Sequence, residues 1–178
     1  MRAALILAAT VALALPAKAD DMVKAVEGFY GAYSTFHPSD GIPDAAGRAK
    51  YEPFITPALK QLLVDGDKAE AEFAKNNKDS PPLIEGDLFT SNFEGATSYR
   101  VGACKGDGKK AECAVALTYD DHGTNPKDKP VTWTDTVTVA MTAKGWRVDD
   151  IAFGATWEFG NHGRLTKTLK DVVANASE

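Results

Sequence analysis

Histidine and cysteine are scarce in this 178-residue chain, at three and two residues. The scarcity removes whole classes of chemistry. His37, His122 and His162 are too far apart for an H-x-x-x-H pair, and two cysteines do not complete a zinc set. There is no G-x-S-x-G turn and no Gly-rich phosphate loop after a strand, so nucleophilic catalysis and nucleotide binding have no motif to rest on. Positive charge is also short. Twenty Lys and Arg stand against 25 Asp and Glu, a formal net charge of −5, which argues against nucleic acid and anionic membrane surfaces as partners. Beyond the first fifteen residues no run is long and apolar enough for a membrane span, which takes roughly 20 residues. No motif implies a cofactor or a metal.

What is present begins with a leader. Arg2, the apolar run at 3–15 broken only by Thr10, and Ala17-Lys18-Ala19 make the three parts of a secretory signal peptide. Residues 1–19 are therefore expected to be removed, leaving 20–178 as one domain in the periplasm, with enough chain for its own core. Loss of Arg2 and Lys18 takes the net charge from −5 to −7. In an exported chain the two cysteines suggest one disulfide, Cys104–Cys113, across the polar turn KGDGKKAE. Pairing them directly puts Arg100 opposite Leu117 and Val101 opposite Ala116, which mixes the faces. A bulge near the turn would realign them.

Along the chain, Val23, Val26, Phe29, Tyr30 and Tyr33 form a helical stripe, capped by Asp20 or Asp21 and running to about Phe36. A Pro/Gly-rich loop covers 36–47, and a short helix is expected at 45–51. Thr56-Pro57 reads as a helix start, with Leu59, Leu62 and Leu63 following at helical spacing. Asp65-Gly66-Asp67 is expected to interrupt that helix before Ala69, Phe73 and Ala74. From Thr97 the period becomes two, in runs holding Val101, Val115, Leu117, Val137 and Val139. Residues 120–130 form a polar loop, 146–153 the last strand, and 165–174 a short helix. The fold class is α+β, with N-terminal helices packed on an antiparallel sheet and a short C-terminal helix.

The segments FYGAYSTF (29–36), FITPALKQLL (54–63), GDLFTSNF (86–93) and GWRVDDI (145–151) carry a resemblance. The chain is similar to exported bacterial proteins grouped as domain of unknown function 3828, within the cystatin-like superfamily that includes nuclear transport factor 2. That resemblance implies a curved sheet wrapped as a cone around N-terminal helices, and a periplasmic address. It implies no activity, because the superfamily carries isomerases, dehydratases, binding modules and inhibitors on one scaffold.

Several side chains are candidates for a site. Asp135 occupies the apolar register Val131, Trp133, Asp135, Val137, Val139 of its strand. A carboxylate there is paired, near an exposed strand end, or lining a cavity, since burial unpaired is costly. Arg100 and Arg147 are the expected partners; in a pocket, the same carboxylate would serve as general base. Asp149 and Asp150 are adjacent, so one faces each side of the sheet, Asp150 with Trp146 and Val148, Asp149 with Ile151 and Phe153. Asp135 and Asp150 are the catalytic candidates. Tyr30, Tyr33, Trp133, Asp135 and Trp157 are the candidate ligand-binding set, although aromatic stripes at these spacings also build plain cores. His37, Asp40 and Asp44 could guard such a pocket. Asp120, Asp121 and His122 hold oxygen and imidazole groups that could bind a cation, but without ligand spacing they read as an Asx-rich turn, and Asn175-Ala-Ser177 matches a short glycosylation sequon.

These features favour an exported binding or interaction domain, in its specific form an inhibitor or immunity-type protein against a basic envelope enzyme. Its partner would be an envelope protein or a small molecule, and a dimer is compatible with the sequence. The alternative is a small-molecule enzyme of the cone fold, with Asp135 or Asp150 as general base and Tyr30 or Tyr33 as hydrogen-bond donor. A third is a structural envelope protein. The enzyme requires an enclosed cavity of on the order of 300 Å3 with a carboxylate inside it.

Overall fold

A computed structural model describes residues 17–35, 41–120 and 129–176. Most of the expected leader, and the candidates His37, Asp40, Asp121, His122 and Ser177, lie outside these residues. The elements run α1 (Ala17–Thr35), α2 (Ala45–Tyr51), α3 (Pro57–Asn76), β1 (Ser98–Gly106), β2 (Lys110–Tyr119), β3 (Val131–Thr142), β4 (Gly145–Ala152) and α4 (Leu165–Asn175). The four strands form one antiparallel sheet in the order β1-β2-β3-β4. This is the expected α+β class with its short C-terminal helix.

α1 lies against the sheet with Met22, Ala25, Val26, Phe29, Tyr30 and Tyr33 buried. Asp20 and Asp21 both lie within the described helix, so neither is its cap. Asp20 stands in the first turn, where a carboxylate suits the positive helix end. α3 starts as the sequence predicts: the Thr56 hydroxyl accepts the Leu59 N–H at 3.2 Å and Pro57 takes the first helical position. It is not interrupted at 65–67. Gly66 is buried, and a Cβ there would meet Ile42 at 3.0 Å and Leu169 at 3.3 Å. The glycine serves close packing with α4 rather than a break.

The β1–β2 register shifts between Val101 and Cys104, which sets Val101 opposite Val115 and Cys104 opposite Cys113, joined by a disulfide. The bulge expected from the mixed faces is therefore present. A second bulge lies in β4, where Asp150 pairs with Thr138 but Val148 with Val139, leaving Asp149 as the extra residue. The extra residue reverses the alternation. Trp146, Val148, Ile151 and Phe153 all join the core, and the face assignment expected for Asp149 and Asp150 is corrected accordingly. The outer edge of β4 is covered rather than open. Val148 exchanges backbone hydrogen bonds with Phe54 and Thr56, and Ala152 bridges to Arg164.

Candidate functional site

Residues 86–92, Gly-Asp-Leu-Phe-Thr-Ser-Asn, are buried in a row without belonging to a helix or strand. Such a segment survives only if its backbone groups find partners. Asp87 Oδ1 accepts from the N–H groups of Phe89 and Thr90, both at 2.8 Å. The Asn161 side-chain amide donates to the carbonyls of Asp87 and Thr90, and the Asn161 N–H donates to the Ser91 carbonyl at 2.9 Å. The remaining tie is Asp135.

Asp135 is wholly buried. Its Oδ2 accepts from the Ser91 N–H at 2.9 Å and from Trp133 Nε1 at 3.1 Å. Its Oδ1 accepts from the Ser91 hydroxyl and from the Gly154 N–H at 2.9 Å. Four neutral donors thus fill the four lone-pair positions of the carboxylate. The expected Arg100 or Arg147 partner is corrected: Arg100 is exposed, and Arg147 donates to the Trp146 carbonyl at 2.7 Å. Gly154 is required for this approach, because a Cβ would sit 2.0 Å from the Thr134 carbonyl oxygen. Asp135 ties β3 to the buried loop and to the chain leaving β4. No lone pair is left for a substrate proton.

Tyr30, Tyr33 and Tyr51 surround the same region. Burial holds all three phenols above their ordinary pKa, and the carboxylates add to it: Asp135 and Asp87 at Tyr30, Asp87 at Tyr33 and Tyr51. Tyr33 accepts the Ala96 N–H at 2.8 Å and hydrogen-bonds Asp87. The Tyr30 hydroxyl is buried with no hydrogen-bond partner among the described residues. Its ring stacks on Tyr99 at 5.4 Å and meets Phe29 and Tyr33 edge-on. Tyr30 and Tyr33 are thus core residues. Trp133 meets Trp157 edge-on at 5.6 Å.

Asp150 is equally committed. Oδ1 accepts from the N–H groups of Thr166 and Ile151, both at 3.0 Å, and Oδ2 pairs with Arg164 at 3.1 Å. It caps α4, whose own N-cap residue, Arg164, supplies no side-chain bond. Asp149 accepts from the Thr56 hydroxyl at 2.9 Å and pairs with Lys110 at 2.8 Å, so it fixes the start of α3. Asp44 is likewise a cap, accepting from the Gly47 N–H at 2.8 Å.

Two open clefts stand out at the surface of the described residues. One, of about 690 Å3, lies between the 52–57 connection and the β3–β4 turn. The other, of about 470 Å3, is lined by residues of β1, β2 and β3 that include Trp133. Neither is lined by Asp135, Asp150, Tyr30, Tyr33 or Trp157. Among the described residues no group of three His, Cys, Asp or Glu is placed to hold a metal ion, and no helix is long and apolar enough to cross a membrane.

The loop after β4 packs on the buried loop. Asn161 joins Ser91, and a Cβ at Gly160 would lie 2.5 Å from the Ser91 carbonyl and 2.7 Å from Trp157 Nε1. Phe93 and Phe159 each stand two residues from this joint and are exposed, at 46% and 82%. Their sequence neighbours Glu94 and Glu158 are exposed as well. Segments 84–97 and 152–163 contain no Lys or Arg. Sequence reasoning missed Ser91, Gly154, Phe93 and Phe159; the signal available was GDLFTSNF, a mixed polar and apolar run with no period. No protein-family model and no curated protein matches the chain.

Proposed function

We propose that this protein is an exported interaction domain that docks a cationic protein through the joined 86–95 and 154–163 loops, in the manner of an inhibitor or immunity-type protein. The observation that carries it is that the two joined loops expose Phe93 and Phe159 beside Glu94 and Glu158 and contain no Lys or Arg. Exposed aromatics supply the anchors of protein interfaces, and a rim of one sign selects a partner of the other and speeds encounter. The loops are pinned by Asp135, Asn161 and Gly154, so their shape is set before binding and little ordering entropy is lost. Export is supported by the leader pattern and by the Cys104–Cys113 disulfide. The resemblance to the domain of unknown function 3828 group within the cystatin-like superfamily supports the same address.

The test is titration against a purified cationic muramidase, by calorimetry and by residual lytic activity, in low and high salt. Binding is expected, weakening as salt rises. It should fall at least about tenfold in Phe159→Ser and in Glu94→Lys/Glu158→Lys. Equal affinity of wild type and both variants would overturn the reading.

A further inference from the structure

The 690 Å3 cleft is lined by more cations than carboxylates, the reverse of the balance over the whole chain. Its walls are the 52–57 connection with Lys60 on one side and residues 142–147 on the other. Pro53, Ile55, Pro57 and Ala143 give it apolar surface. Lys60, Lys144 and Arg147 supply three positive charges against the one carboxylate of Glu52, which Lys60 already neutralises at 2.8 Å. Lys144 and Arg147 have no carboxylate partner among the described residues. Two uncompensated cations thus face one cleft of a protein whose net charge is −5.

The cleft is also built rather than loose. Arg147 Nη1 donates to the Trp146 carbonyl at 2.7 Å, which fixes one side of the guanidinium and leaves its other donors free. The Thr142 hydroxyl donates to the Gly145 carbonyl at 2.8 Å and accepts the Lys144 N–H at 3.1 Å, so the turn carrying Lys144 is braced. On the opposite wall, Thr56 is held to the sheet by Asp149 at 2.9 Å and by its backbone bond to Val148. The cleft volume lies within the range of about 300–1,000 Å3 typical of small-molecule sites.

We propose that this cleft binds a small organic anion, a carboxylate on an apolar body. The carboxylate would pair with Arg147, whose planar fork matches its geometry, and with Lys144 as a point charge. The apolar body would lie against Ile55 and the two prolines. This site is separate from the Phe93–Phe159 surface and does not depend on it.

The test is a titration followed by amide NMR of the full protein, with three probes: hexanoate, hexanol and inorganic phosphate. Hexanoate should give saturable shifts confined to residues 52–60 and 142–147. Hexanol should bind at least about tenfold more weakly, because it lacks the charge, and inorganic phosphate more weakly because it lacks the apolar body. Arg147→Gln should weaken hexanoate about tenfold with its spectrum otherwise retained. If that variant does not fold, Lys144→Gln on the exposed turn carries the test, with a loss of at least about threefold expected. Hexanoate shifts absent from the two segments, equal binding of hexanol, tighter binding of phosphate, or unchanged hexanoate affinity in the folded variant would each overturn the proposal. Phe159→Ser should leave hexanoate affinity unchanged, so failure here and failure of the docking surface are read separately.

Discussion

Ser91 and Asp135, 44 residues apart in the chain, are joined twice: the Ser91 N–H and the Ser91 hydroxyl each donate to a different oxygen of the carboxylate. Asp135→Asn replaces one accepting oxygen with an NH2 group that would face two donors. The expected cost is about 2–4 kcal/mol, since buried donors lose a charged acceptor. Ser91→Ala should cost about 1–2 kcal/mol. Urea denaturation measures both, and a double-mutant cycle should return a coupling of at least about 1 kcal/mol. An Asp135→Asn protein as stable as wild type would show that the tie does not hold the loop.

Two neighbouring tyrosines should respond to the same substitution in opposite ways. The Tyr30 hydroxyl is buried without a hydrogen-bond partner among the described residues, whereas Tyr33 takes the Ala96 N–H and bonds Asp87. Tyr30→Phe removes a desolvated hydroxyl while keeping the ring, so stability should stay level or rise by up to about 1 kcal/mol. Tyr33→Phe should lose about 1–2 kcal/mol, because it leaves the Ala96 N–H unpaired. Thermal melts of the two variants side by side decide the point, and an equal loss in both would refute the difference in bonding.

Alkaline pH should unfold the protein by way of these phenols. Burial raises the folded-state pKa of Tyr30, Tyr33 and Tyr51 above the unfolded value of about 10. Below pH 10 these groups hold their protons in both states and stability is unaffected. Above it the unfolded chain releases protons that the folded chain retains, so stability falls as pH rises. Urea midpoints should be flat from about pH 8 to 9.5 and then decline. Tyrosinate absorbance from Tyr30, Tyr33 and Tyr51 should appear only as the chain unfolds. Ionisation of these three phenols near pH 10 without loss of structure would contradict this.

The regular elements were legible because their signals are local. Thr56-Pro57 is both cap and first helical residue, and the period-two runs around Val115, Val137 and Val139 became β2 and β3. The disulfide and its bulge followed from counting faces between Cys104 and Cys113. The partners of Asp135 were not legible. They are backbone N–H groups, which every residue offers, and a serine in a segment without period. Gly66 was misread for a related reason. Glycine in a helical run marks either a break or a close contact, and only the approach of Ile42 and Leu169 separates the two. The Asp149 bulge likewise depends on β4 having to satisfy Thr56, Lys110 and α4 at once. The loops at 86–95 and 154–163 expose Phe93 and Phe159 beside the Ser91–Asn161 joint, which no spacing in the sequence announces.

Asp150 should govern the attachment of α4 rather than any chemistry. It accepts the Thr166 N–H and pairs with Arg164, on a helix that buries Leu165, Leu169 and Val172. Asp150→Ala leaves the positive end of α4 without its anion, at an expected cost of about 1–2 kcal/mol. Asp150→Asn keeps an accepting oxygen for Thr166 but loses the charge facing Arg164, and should fall between wild type and the alanine variant. The sharper measurement is amide hydrogen exchange. Amides at 165–175 should exchange faster in Asp150→Ala while those of β3 keep their protection, because the helix frays locally before the sheet opens. Equal acceleration in α4 and β3 would mean that the carboxylate supports the whole fold. No change in either would mean that the buried leucines hold α4 without it.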